Sequence, residues 1–334
     1  MSVRIGINGF GRIGKLVFRL SLENPDVEVV HLNDKMDTDF IAYLLKHDSL
    51  HGILNKSINY GKDFITVGDK KILVTKNTKP NEIDWEQKKV DVVVDATGKF
   101  KSKELLQGHF NSNVKKVILT CPPNDNSIDR VVVLGVNEKT ISSSDKIVSN
   151  ASCTTNCVAI MLKVLKDQFG VNRAFMNTVH PATNNQNIQD AFHSDFRRSR
   201  SVLNNIIPTT TSATRCIPMI FPDMHNIFDG FATRVPVAEC SFVELIAELE
   251  KNVSVDDINN SFKEYSKHSL KRYLEYSSES IVSTDIINNS YSAVFDSLCT
   301  KVIDGNLVQI LGWYDNEFAY SSRVIELINY LSDL

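Results

Sequence analysis

Short apolar runs alternate with stretches of helical periodicity through the first half of the chain. The runs are rich in Val and Ile throughout, which is typical of strands buried on both faces of a parallel sheet. We predict such strands at Val3–Ile7, Val27–Leu32, Val90–Ala96, Lys116–Thr120, Val131–Gly135 and Lys146–Val148. Between the first two, Gly11–Leu22 places apolar residues at i, i+3, i+4 and i+7, which predicts a helix. Strand, helix and strand within about 30 residues form a βαβ unit, so the fold class is α/β with a doubly wound, mostly parallel sheet.

The pattern changes near residue 150. We predict a helix over Cys153–Phe169, and after it longer strand-like segments at Arg173–His180, Gly230–Pro236, Cys240–Leu249 and Ser292–Gly312. Asp304-Gly305 separates two apolar runs and indicates a hairpin. Further helices are predicted over Asp256–His268 and Phe318–Leu331. The chain is therefore expected to have one domain over 1–150 and a second, α+β domain over 151–316 with a largely antiparallel sheet.

Composition narrows the class of protein without giving its activity. The chain has 334 residues, 37 Lys+Arg against 40 Asp+Glu, and a formal net charge of −3, which argues against a nucleic-acid-binding surface. No apolar run approaches the roughly 18 residues of a membrane span, and the N-terminus enters a strand-like pattern with no apolar signal region. Six scattered cysteines do not suggest a disulfide framework. We expect a cytoplasmic protein with no membrane and no nucleic-acid partner.

The first chemical signal is the run Gly9-Phe10-Gly11-Arg12-Ile13-Gly14, which matches G-x-G-x-x-G. It follows a predicted strand and opens a predicted helix, and Asp34 ends the next strand 20 residues after Gly14. In this context Gly9 allows a tight turn, Gly11 lets a diphosphate approach the helix N-terminus, and Gly14 allows close packing. Asp34 would accept hydrogen bonds from a ribose. The alternative, that the glycines serve only a βα turn, is the weaker interpretation.

The second signal is Ser152-Cys153-Thr154-Thr155-Asn156-Cys157, at the start of a predicted helix. A thiolate in the first turn is stabilised by the helix N-terminus, so the pKa of Cys153 should fall. Three interpretations remain open: a buried structural pair with Cys157, half of a zinc site, and an activated nucleophile. The nucleophile is favoured, with Cys153 as the reacting residue because it is nearest the helix start.

A nucleophile of this kind needs a base and its substrate needs anchors. His180 ends an apolar strand just before Pro181, and Thr183 follows three residues later. Arg234 lies inside an apolar strand, where a solvated surface role is hard to defend. The cluster around Arg198 precedes a Thr-rich segment, and arginine beside hydroxyl groups suits phosphate binding. A solvated basic loop explains this cluster equally well. A dinucleotide site, a thiol with an imidazole, and phosphate anchors together suggest oxidation of an aldehyde.

The sequence resembles the phosphorylating glyceraldehyde-3-phosphate dehydrogenases from end to end. The motifs that carry the resemblance are Ile7–Gly14, Asn33-Asp34, Ala96-Thr97-Gly98, Ser149–Cys157, Thr178-Val179-His180, Ile206-Ile207-Pro208, Thr233–Pro236 and Trp313–Phe318. The resemblance implies a Rossmann domain with NAD as the cofactor and a C-terminal helix (317–334) that packs back on it. It also implies glycolytic, NAD-dependent conversion of D-glyceraldehyde 3-phosphate and inorganic phosphate to 1,3-bisphosphoglycerate through a cysteine thioester, in a homotetramer.

The resemblance assigns site residues position by position. It makes Cys153 the nucleophile and His180 the base. It gives NAD the residues Gly9, Gly11, Arg12, Ile13, Asp34, Thr78, Thr97 and Thr120, with Asn316 fixing the nicotinamide carboxamide. It places the substrate's C3 phosphate at Thr183 and Arg234. It places inorganic phosphate at Ser152, Thr154, Arg198, Thr211 and Ser212.

The chain departs from the family pattern at several positions. Ser212 stands where a glycine is usual, which predicts weaker or repositioned phosphate binding. Lys35 is unusual after Asp34, and Ala191-Phe192 replaces a pair that is common in NAD-specific relatives. Asp34 should repel the 2′-phosphate of NADP, and Lys35 would soften this discrimination. Ala319 replaces a usual glycine without a physical account of its effect.

Two rival functions are weighed against this one. The first is an erythrose-4-phosphate dehydrogenase. Asp190–His193 and the region of Arg215 and Phe221-Pro222 favour it, whereas Thr183, Tyr314 and Thr210-Thr211 argue against it. The second is a non-catalytic binding protein on the same scaffold, against which the intact Cys153 and His180 argue.

Overall fold

The computed structural model describes residues 2–111, 113–184 and 186–334, which fall into two compact units. The first unit comprises the described residues up to Val132, Lys139–Ala151 and Ser321–Leu334. The second comprises Val133–Glu138 and the described residues of Ser152–Tyr320.

The first unit is built on a nine-stranded sheet and its helices. In chain order its elements are β1 (Val3–Asn8), α1 (Arg12–Ser21), β2 (Val27–Asn33), α2 (Thr38–Lys46), β3 (His47–Asp48), β4 (Gly52–Ile53), β5 (Ile58–Tyr60), β6 (Phe64–Val67), β7 (Lys70–Thr75), β8 (Val92–Asp95), α3 (Lys103–Leu106), β9 (Lys116–Leu119), β10 (Arg130–Val131) and β11 (Ile147–Ser149).

The strand order of this sheet is β10-β11-β9-β8-β1-β2-β7-β6-β5. The pairs from β10 to β7 are parallel, and β7–β6–β5 continue the sheet antiparallel. The chain leaves β1 for β2 on one side and later places β8 on the other side. The strand order therefore reverses at β1, and ligands of doubly wound sheets bind outside the carboxyl ends of the strands at such a point.

The second unit is built on an eight-stranded sheet. Its elements are α4 (Cys153–Phe169), β12 (Val171–Pro181), β13 (Ile207–Thr209), α5 (Ala213–Ile220), β14 (Phe228–Val235), β15 (Ser241–Leu249), α6 (Val255–Lys267), β16 (Leu274–Ser277), β17 (Ala293–Asp296), β18 (Lys301–Ile303) and β19 (Leu307–Tyr314), and α7 (Phe318–Ser332) begins in this unit and ends in the first.

The order of the second sheet is β13-β14-β12-β15-β19-β17-β16, with β18 on β19. Most pairs are antiparallel, while β12–β14 and β16–β17 are parallel. Helix α4 packs against β12, β15, β17 and β19. Helix α4 lies so close to β19 that a Cβ on Gly312 would be only 2.5 Å from the Met161 sulfur. This packing fixes where the first turn of α4 stands relative to the sheet.

The fold class predicted from the sequence is confirmed, and so are most of its elements. The hairpin at Asp304-Gly305 forms between β18 and β19 through a three-residue loop (304–306), and both Asp304 and Gly305 have positive φ (50° and 79°).

Two of the predicted strands were wrong in extent. The strand expected over Val131–Gly135 ends at Val131, because the Asn137 side chain accepts the Val133 N–H and draws this edge segment into a turn. The segment Ser292–Gly312 is divided into β17, β18 and β19. The break at Asp304-Gly305 was predicted, whereas the break after β17 was not. Within it Asp296 accepts the Leu298 N–H and starts a 3-10 turn.

Among the described residues, no helix has both the length and the apolar character that crossing a membrane would require.

Candidate active site

A cleft of about 300 Å³ lies at the carboxyl ends of the central strands of the first unit. Five of the residues predicted to bind the cofactor line it, namely Gly9, Gly11, Asp34, Thr78 and Thr97. The others lining it are Asn8, Asn33, Lys35, Asn77, Ala96, Lys99 and Phe100. The cleft is therefore at the reversal point of the strand order, where a dinucleotide is expected.

The three glycines of the G-x-G-x-x-G motif meet three different steric demands. Gly9 has φ +95°, and a Cβ there would lie 2.7 Å from the Thr97 nitrogen. A Cβ on Gly14 would lie 2.0 Å from the Gly9 carbonyl oxygen, so the helix and the turn touch directly. By contrast, no described atom lies within 4 Å of where a Cβ on Gly11 would stand. Gly9 and Gly14 are thus required by the fold, whereas Gly11 leaves open space at the start of α1 that fits a diphosphate.

Asp34 is held at the cleft by backbone donors. Its carboxylate accepts the N–H of Phe10 at 2.7 Å and that of Met36 at 3.0 Å. Lys35 lines the same cleft. An acidic group beside the end of β2 is placed to receive ribose hydroxyls.

Arg12 and Ile13 form the first turn of α1, but the Arg12 side chain is bound to Asp48 with an N–O distance of 2.6 Å. Lys15 reaches the same carboxylate at 2.6 Å. Burial alone would raise the pKa of Asp48, but hydrogen bonds from Lys15, from two backbone N–H groups and from Arg12 hold it well below its usual range. The Arg12 guanidinium is therefore ion-paired within the first unit.

Thr97 and Thr120 belong to the ends of adjacent strands. The Thr97 hydroxyl donates to Asp95 at 2.6 Å, and the Thr120 hydroxyl donates to the Asp95 carbonyl at 3.1 Å. Thr78, which also lines the cleft, is exposed and contacts Glu82 at 3.5 Å.

In the second unit, Cys153 and His180 come together although 27 residues separate them. Cys153 is the first residue of α4, and Ser152 caps that helix by accepting the Thr155 N–H at 3.0 Å. The Cys153 Sγ lies 3.5 Å from Nε2 of His180, near the end of β12. A thiol at a helix N-terminus in contact with an imidazole has the arrangement of an activated nucleophile.

The pKa of Cys153 does not fall as the sequence predicted. Burial is the largest influence and raises it, and the charge of Arg234 together with N–H donors of the first helical turn offsets this only in part. The prediction considered the helix N-terminus but not the desolvation of the thiol, and desolvation is the larger effect here.

Arg234, on β14 beside β12, contacts the other nitrogen of the imidazole. Its Nη1 lies 2.6 Å from His180 Nδ1 and donates to the Pro181 carbonyl at 3.0 Å. Its Nε is buried with no hydrogen-bond partner among the described residues. Burial and the Arg234 charge lower the pKa of His180 to about 3, so the ring is neutral at neutral pH.

The residues predicted to bind phosphate occupy two settings in this unit. Thr154 is buried in the first turn of α4, and its hydroxyl pairs with that of Tyr314 at 2.8 Å. Thr183 points its N–H and hydroxyl at the Gln186 side-chain oxygen, at 3.0 and 3.1 Å. Both hydroxyl groups thus have protein partners.

Three more of these residues, Arg198, Thr211 and Ser212, lie in the Thr-rich segment or in the basic cluster before it. Arg198 Nε donates to Thr209 at 2.7 Å and the guanidinium pairs with Asp195 at 3.4 Å, so it is not a solvated side chain. The Thr211 hydroxyl accepts the Ala213 N–H at 3.3 Å, and Ser212 precedes α5 as its N-cap.

Asn316 follows β19 in the second unit and is buried. Its side-chain oxygen accepts the Ser241 hydroxyl at 3.2 Å. Because the side-chain oxygen faces Ser241, the N–H groups of the Asn316 amide point away from Ser241.

Sequence reasoning gave no role to the Tyr314 hydroxyl, which pairs with Thr154 at 2.8 Å and with Thr178 at 2.9 Å. It links the first turn of α4 to β12, the two elements that carry the thiol and the imidazole. Its place in the specific Trp-Tyr-Asp-Asn-Glu motif was the available signal.

A series of side-chain hydrogen bonds at the cleft was also not predicted from the sequence. Asn33 Nδ2 donates to Asn8 at 2.8 Å, and Asn8 Nδ2 donates to Asp95 at 2.8 Å. This series ties the carboxyl ends of β2, β1 and β8 together.

Comparison with known proteins agrees with this geometry. The family model "Glyceraldehyde 3-phosphate dehydrogenase, NAD binding domain" matches residues 3–103, and "Glyceraldehyde 3-phosphate dehydrogenase, C-terminal domain" matches residues 152–316. The chain belongs to the glyceraldehyde 3-phosphate dehydrogenase family. Family membership makes it an NAD-dependent oxidoreductase that acts on an aldehyde, which confirms the predicted cofactor and reaction class.

Individual relatives extend over nearly the whole chain. It is 44% identical over 333 residues to glyceraldehyde-3-phosphate dehydrogenase of Priestia megaterium and 43% identical over 333 residues to that of Geobacillus stearothermophilus, covering 99% of each chain. It is 44% identical over 335 residues to that of Mycobacterium avium, covering 98% of both chains. The erythrose-4-phosphate alternative is not favoured by these relatives.

Proposed function

We propose that the chain oxidises D-glyceraldehyde 3-phosphate to 1,3-bisphosphoglycerate through a thioester on Cys153, with inorganic phosphate as the second substrate. The observation that carries this proposal is the contact of 3.5 Å between the Cys153 thiol at the start of α4 and His180 Nε2. The names of the full-length relatives support the choice of aldehyde.

In the proposed reaction the Cys153 sulfur adds to the aldehyde carbon and the thiol proton passes to His180. The oxygen of the resulting adduct gains charge, and the backbone N–H groups of the first turn of α4 together with His180 Nε2–H can donate to it. NAD, when bound, accepts the hydride. Phosphate then attacks the thioester carbon, the bond to sulfur breaks, and an acyl phosphate leaves.

Two anion sites are assigned in the second unit. Arg234 and Thr183 would hold the C3 phosphate. Arg234 suits this role because it is half-buried, has a buried Nε with no hydrogen-bond partner and forms no ion pair with a carboxylate among the described residues. Ser152, Thr154, Arg198, Thr211 and Ser212 would hold the attacking phosphate. Since Arg198 is already ion-paired with Asp195, and Ser212 adds a side chain at the N-cap of α5, we expect this second site to be the weaker one.

For the cofactor, the proposal assigns the adenosine ribose to Asp34 and the diphosphate to the turn of Gly9 and Gly11 and the backbone of Arg12 and Ile13. Thr78, Thr97 and Thr120 would line its path, and Asn316 would bind the nicotinamide carboxamide. The cleft within the first unit and the open space at Gly11 support these assignments. We also propose that the two units are a cofactor domain and a catalytic domain.

We propose a homotetramer on the evidence of exposed apolar side chains in the second unit. Within the segment 186–206, Phe192 is 95% exposed, Phe196 89% and Ile206 71%. Isolated exposed apolar residues are common, but several in one segment indicate a surface covered by another protein. The six cysteines are all free thiols, which favours a reducing, cytoplasmic setting.

The proposal is tested by following NADH formation with D-glyceraldehyde 3-phosphate, with and without inorganic phosphate. Continuous turnover should require phosphate, and Cys153→Ser should abolish it. Cys299→Ser, a change at a second partly exposed thiol, serves as the matched control and should retain activity. Turnover without phosphate would mean that the thioester is hydrolysed, and activity in Cys153→Ser would rule out the thiol mechanism.

A further inference from the structure

A buried carboxylate at the end of β8 contacts residues that line the cleft of the first unit. Asp95 is fully buried and has two polar neighbours at each of its oxygens. Oδ1 accepts the backbone N–H and the hydroxyl of Thr97, at 3.2 and 2.6 Å. Oδ2 accepts the side-chain N–H of Asn8 at 2.8 Å and lies 3.2 Å from Nε2 of His109. Three of these contacts are donated to Asp95, and the fourth depends on the tautomer of His109.

The tautomer of His109 is determined by the indole of Trp85. An indole N–H can only donate, and it lies 3.1 Å from Nδ1 of His109, so this nitrogen carries the lone pair. The single proton of the neutral ring is then on Nε2, directed at Asp95. Both rings are fully buried. Four donors consequently converge on one buried carboxylate.

Two amide side chains continue the hydrogen bonding from Asp95 along the cleft. Asn8 Oδ1 accepts the Asn33 side-chain N–H at 2.8 Å. Asn33 Oδ1 in turn accepts the hydroxyl of Thr75 at 2.8 Å and the backbone N–H of Asn77 at 2.9 Å. We refer to the connected residues as the Asp95 network, which consists of Asn8, Asn33, Thr75, Asn77, Trp85, Asp95, Thr97 and His109.

The direction of donation in the Asp95 network cannot be reversed. A backbone N–H can only donate, so Asn77 fixes the side-chain oxygen of Asn33 on its own side and turns the Asn33 N–H groups towards Asn8. For the same reason the Asn8 N–H groups are turned towards Asp95. At the other end the backbone N–H of Thr97 also only donates. Position 95 therefore requires a group that accepts on both sides, which a carboxylate does and an amide does not.

Four residues of the Asp95 network line the cleft to which the dinucleotide is assigned, namely Asn8, Asn33, Asn77 and Thr97. We propose that Asp95 is a positioning residue for NAD: its carboxylate fixes the orientation of these groups at the cleft, and His109 holds the carboxylate through Nε2–H. Asp95 is itself fully buried, so it acts through its neighbours. The inference rests on the proposed function in one respect, the position of the cofactor in this cleft.

A carboxylate can influence a bound dinucleotide in two ways, and the two have opposite effects on affinity. Its negative charge repels the diphosphate, so an Asp95 that acted only by charge would give tighter binding when neutralised. As an acceptor it keeps four donors in place, and an isosteric amide would leave at least one of them buried without a partner. The side chain that carries this donor would then leave the arrangement that lines the cleft. A loss of affinity in Asp95→Asn is thus the signature of positioning.

The test is a calorimetric titration of the full-length protein with ADP-ribose, which carries the adenosine and diphosphate of NAD and requires no catalytic residue. We expect Asp95→Asn to raise the dissociation constant about tenfold. The matched control is Asp129→Asn, at a carboxylate of the same unit that accepts the backbone N–H groups of Lys146 and Ile147, each at 2.8 Å. Both variants should lose stability, but only Asp95→Asn should lose affinity. Unchanged or tighter binding in Asp95→Asn, or an equal loss in Asp129→Asn, would overturn the inference.

A pair of substitutions at His109 separates hydrogen bonding from the filling of space. Glutamine offers an acceptor for the Trp85 indole and a donor for Asp95, whereas leucine offers neither. We expect His109→Leu to raise the dissociation constant of ADP-ribose about fivefold and His109→Gln to recover most of this loss, leaving a change of about twofold. Equal losses in the two variants would contradict the positioning role.

A spectroscopic measurement tests the Asp95 network without any substitution of Asp95. Two-bond ¹H–¹⁵N spectra of ¹⁵N-histidine-labelled protein distinguish the tautomers of a neutral ring, and the His109 signals are identified by their loss in His109→Gln. We expect the Nε2–H tautomer both in the free protein and with ADP-ribose bound, because the Trp85 indole donates to Nδ1. An Nδ1–H tautomer would mean that His109 does not donate to Asp95, and it would overturn the inference.

Gly11→Ala distinguishes a failure of this inference from a failure of the assigned cofactor position. Weaker ADP-ribose binding in Gly11→Ala with unchanged binding in Asp95→Asn would support the cofactor position and make the Asp95 network purely structural, which overturns the inference alone. Unchanged binding in both variants would overturn the cofactor position as well. Weaker binding in both, with Asp129→Asn unaffected, is the result we expect.

Discussion

The two units form their sites in different ways. In the first, the cleft is formed chiefly by backbone: a tight turn at Gly9, an open helix start at Gly11 and a carboxylate held by two N–H groups. In the second, side chains from α4, β14 and β19 converge on the His180 imidazole of β12. The first kind of site depends on steric room, and the second on which hydrogen-bond partners are present.

Two buried histidines illustrate the difference. In the first unit the Trp85 indole donates to His109 Nδ1 at 3.1 Å and Asp95 lies 3.2 Å from Nε2, so one tautomer satisfies both neighbours. In the second unit the neighbours of His180 Nδ1 compete with each other. The partners of His109 are satisfied by one tautomer, whereas Nδ1 of His180 faces both a donor, Arg234, and an acceptor, the Pro181 carbonyl.

The largest expected effect comes from removing the His180 imidazole. His180→Gln should lower kcat by about 10²–10⁴-fold, because general-base catalysis contributes on that scale. NAD affinity should change little, since the first unit is untouched. The control is His225→Gln, an exposed histidine of the second unit, which should keep full activity. Comparable losses in both variants would show that His180 has no special place in the chemistry.

The next prediction distinguishes a glycine required for stability, Gly14, from a glycine required for cofactor binding, Gly11. Gly14→Ala should destabilise the protein by about 1–3 kcal/mol, because its Cβ would meet the Gly9 carbonyl at 2.0 Å. Gly11→Ala should leave thermal stability nearly unchanged, since no described atom lies within 4 Å of its Cβ. It should nevertheless weaken NAD binding about tenfold, because the methyl group occupies the space assigned to the diphosphate. Calorimetric stability and NAD titration of the two variants check this, and equal loss of stability in both would contradict it.

A smaller effect is expected from the hydroxyl that links α4 to β12. Tyr314→Phe removes hydrogen bonds to Thr154 and Thr178 worth about 0.5–1.5 kcal/mol each, so we expect kcat to fall about 3–10-fold with the fold retained. Steady-state kinetics with Tyr43→Phe, an exposed tyrosine of the first unit, provide the comparison. An unchanged kcat would mean that the packing of α4 on the sheet positions the thiol without this bridge.

The effect that is smallest at neutral pH concerns the pH dependence of stability. Burial lowers the pKa of His31 in the first unit to about 4, below the usual value near 6.5. Between these values the unfolded chain binds more protons than the folded one, so stability is lost as pH falls from about 6.5 towards 4. The contribution has a maximum slope of about 1.4 kcal/mol per pH unit. His31→Gln should flatten the dependence of Tm on pH in this window, and an identical slope in both proteins would contradict it.

The sequence predicted the first unit well where local rules apply. The glycine motif and Asp34 lie within about 30 residues of one another, and their spacing encodes a turn, a helix start and a strand end. The antiparallel extension β5–β7 was not predicted, although Gly68, with φ +58°, lies at its turn. Its strands are short and lie at the edge, where alternation of polar and apolar residues is a weak signal.

The second site could be predicted only in part. Cys153 and His180 each have a local signature, but nothing local places Arg234 on His180 or Tyr314 between two threonines. Those contacts depend on the register of β12 with β14 and on the packing of α4 against β19. The raised pKa of Cys153 was missed for the same reason, because burial is a property of the assembled unit.

The most direct test of the mechanism is a single turnover without inorganic phosphate. The protein is mixed with NAD and D-glyceraldehyde 3-phosphate in phosphate-free buffer, NADH is followed by absorbance, and the peptide that contains Cys153 is examined by mass spectrometry. We predict one NADH per chain, an acyl group on Cys153, and its release as an acyl phosphate when inorganic phosphate is added. Continued NADH formation without phosphate, or an unmodified Cys153 after the burst, would contradict the thioester mechanism.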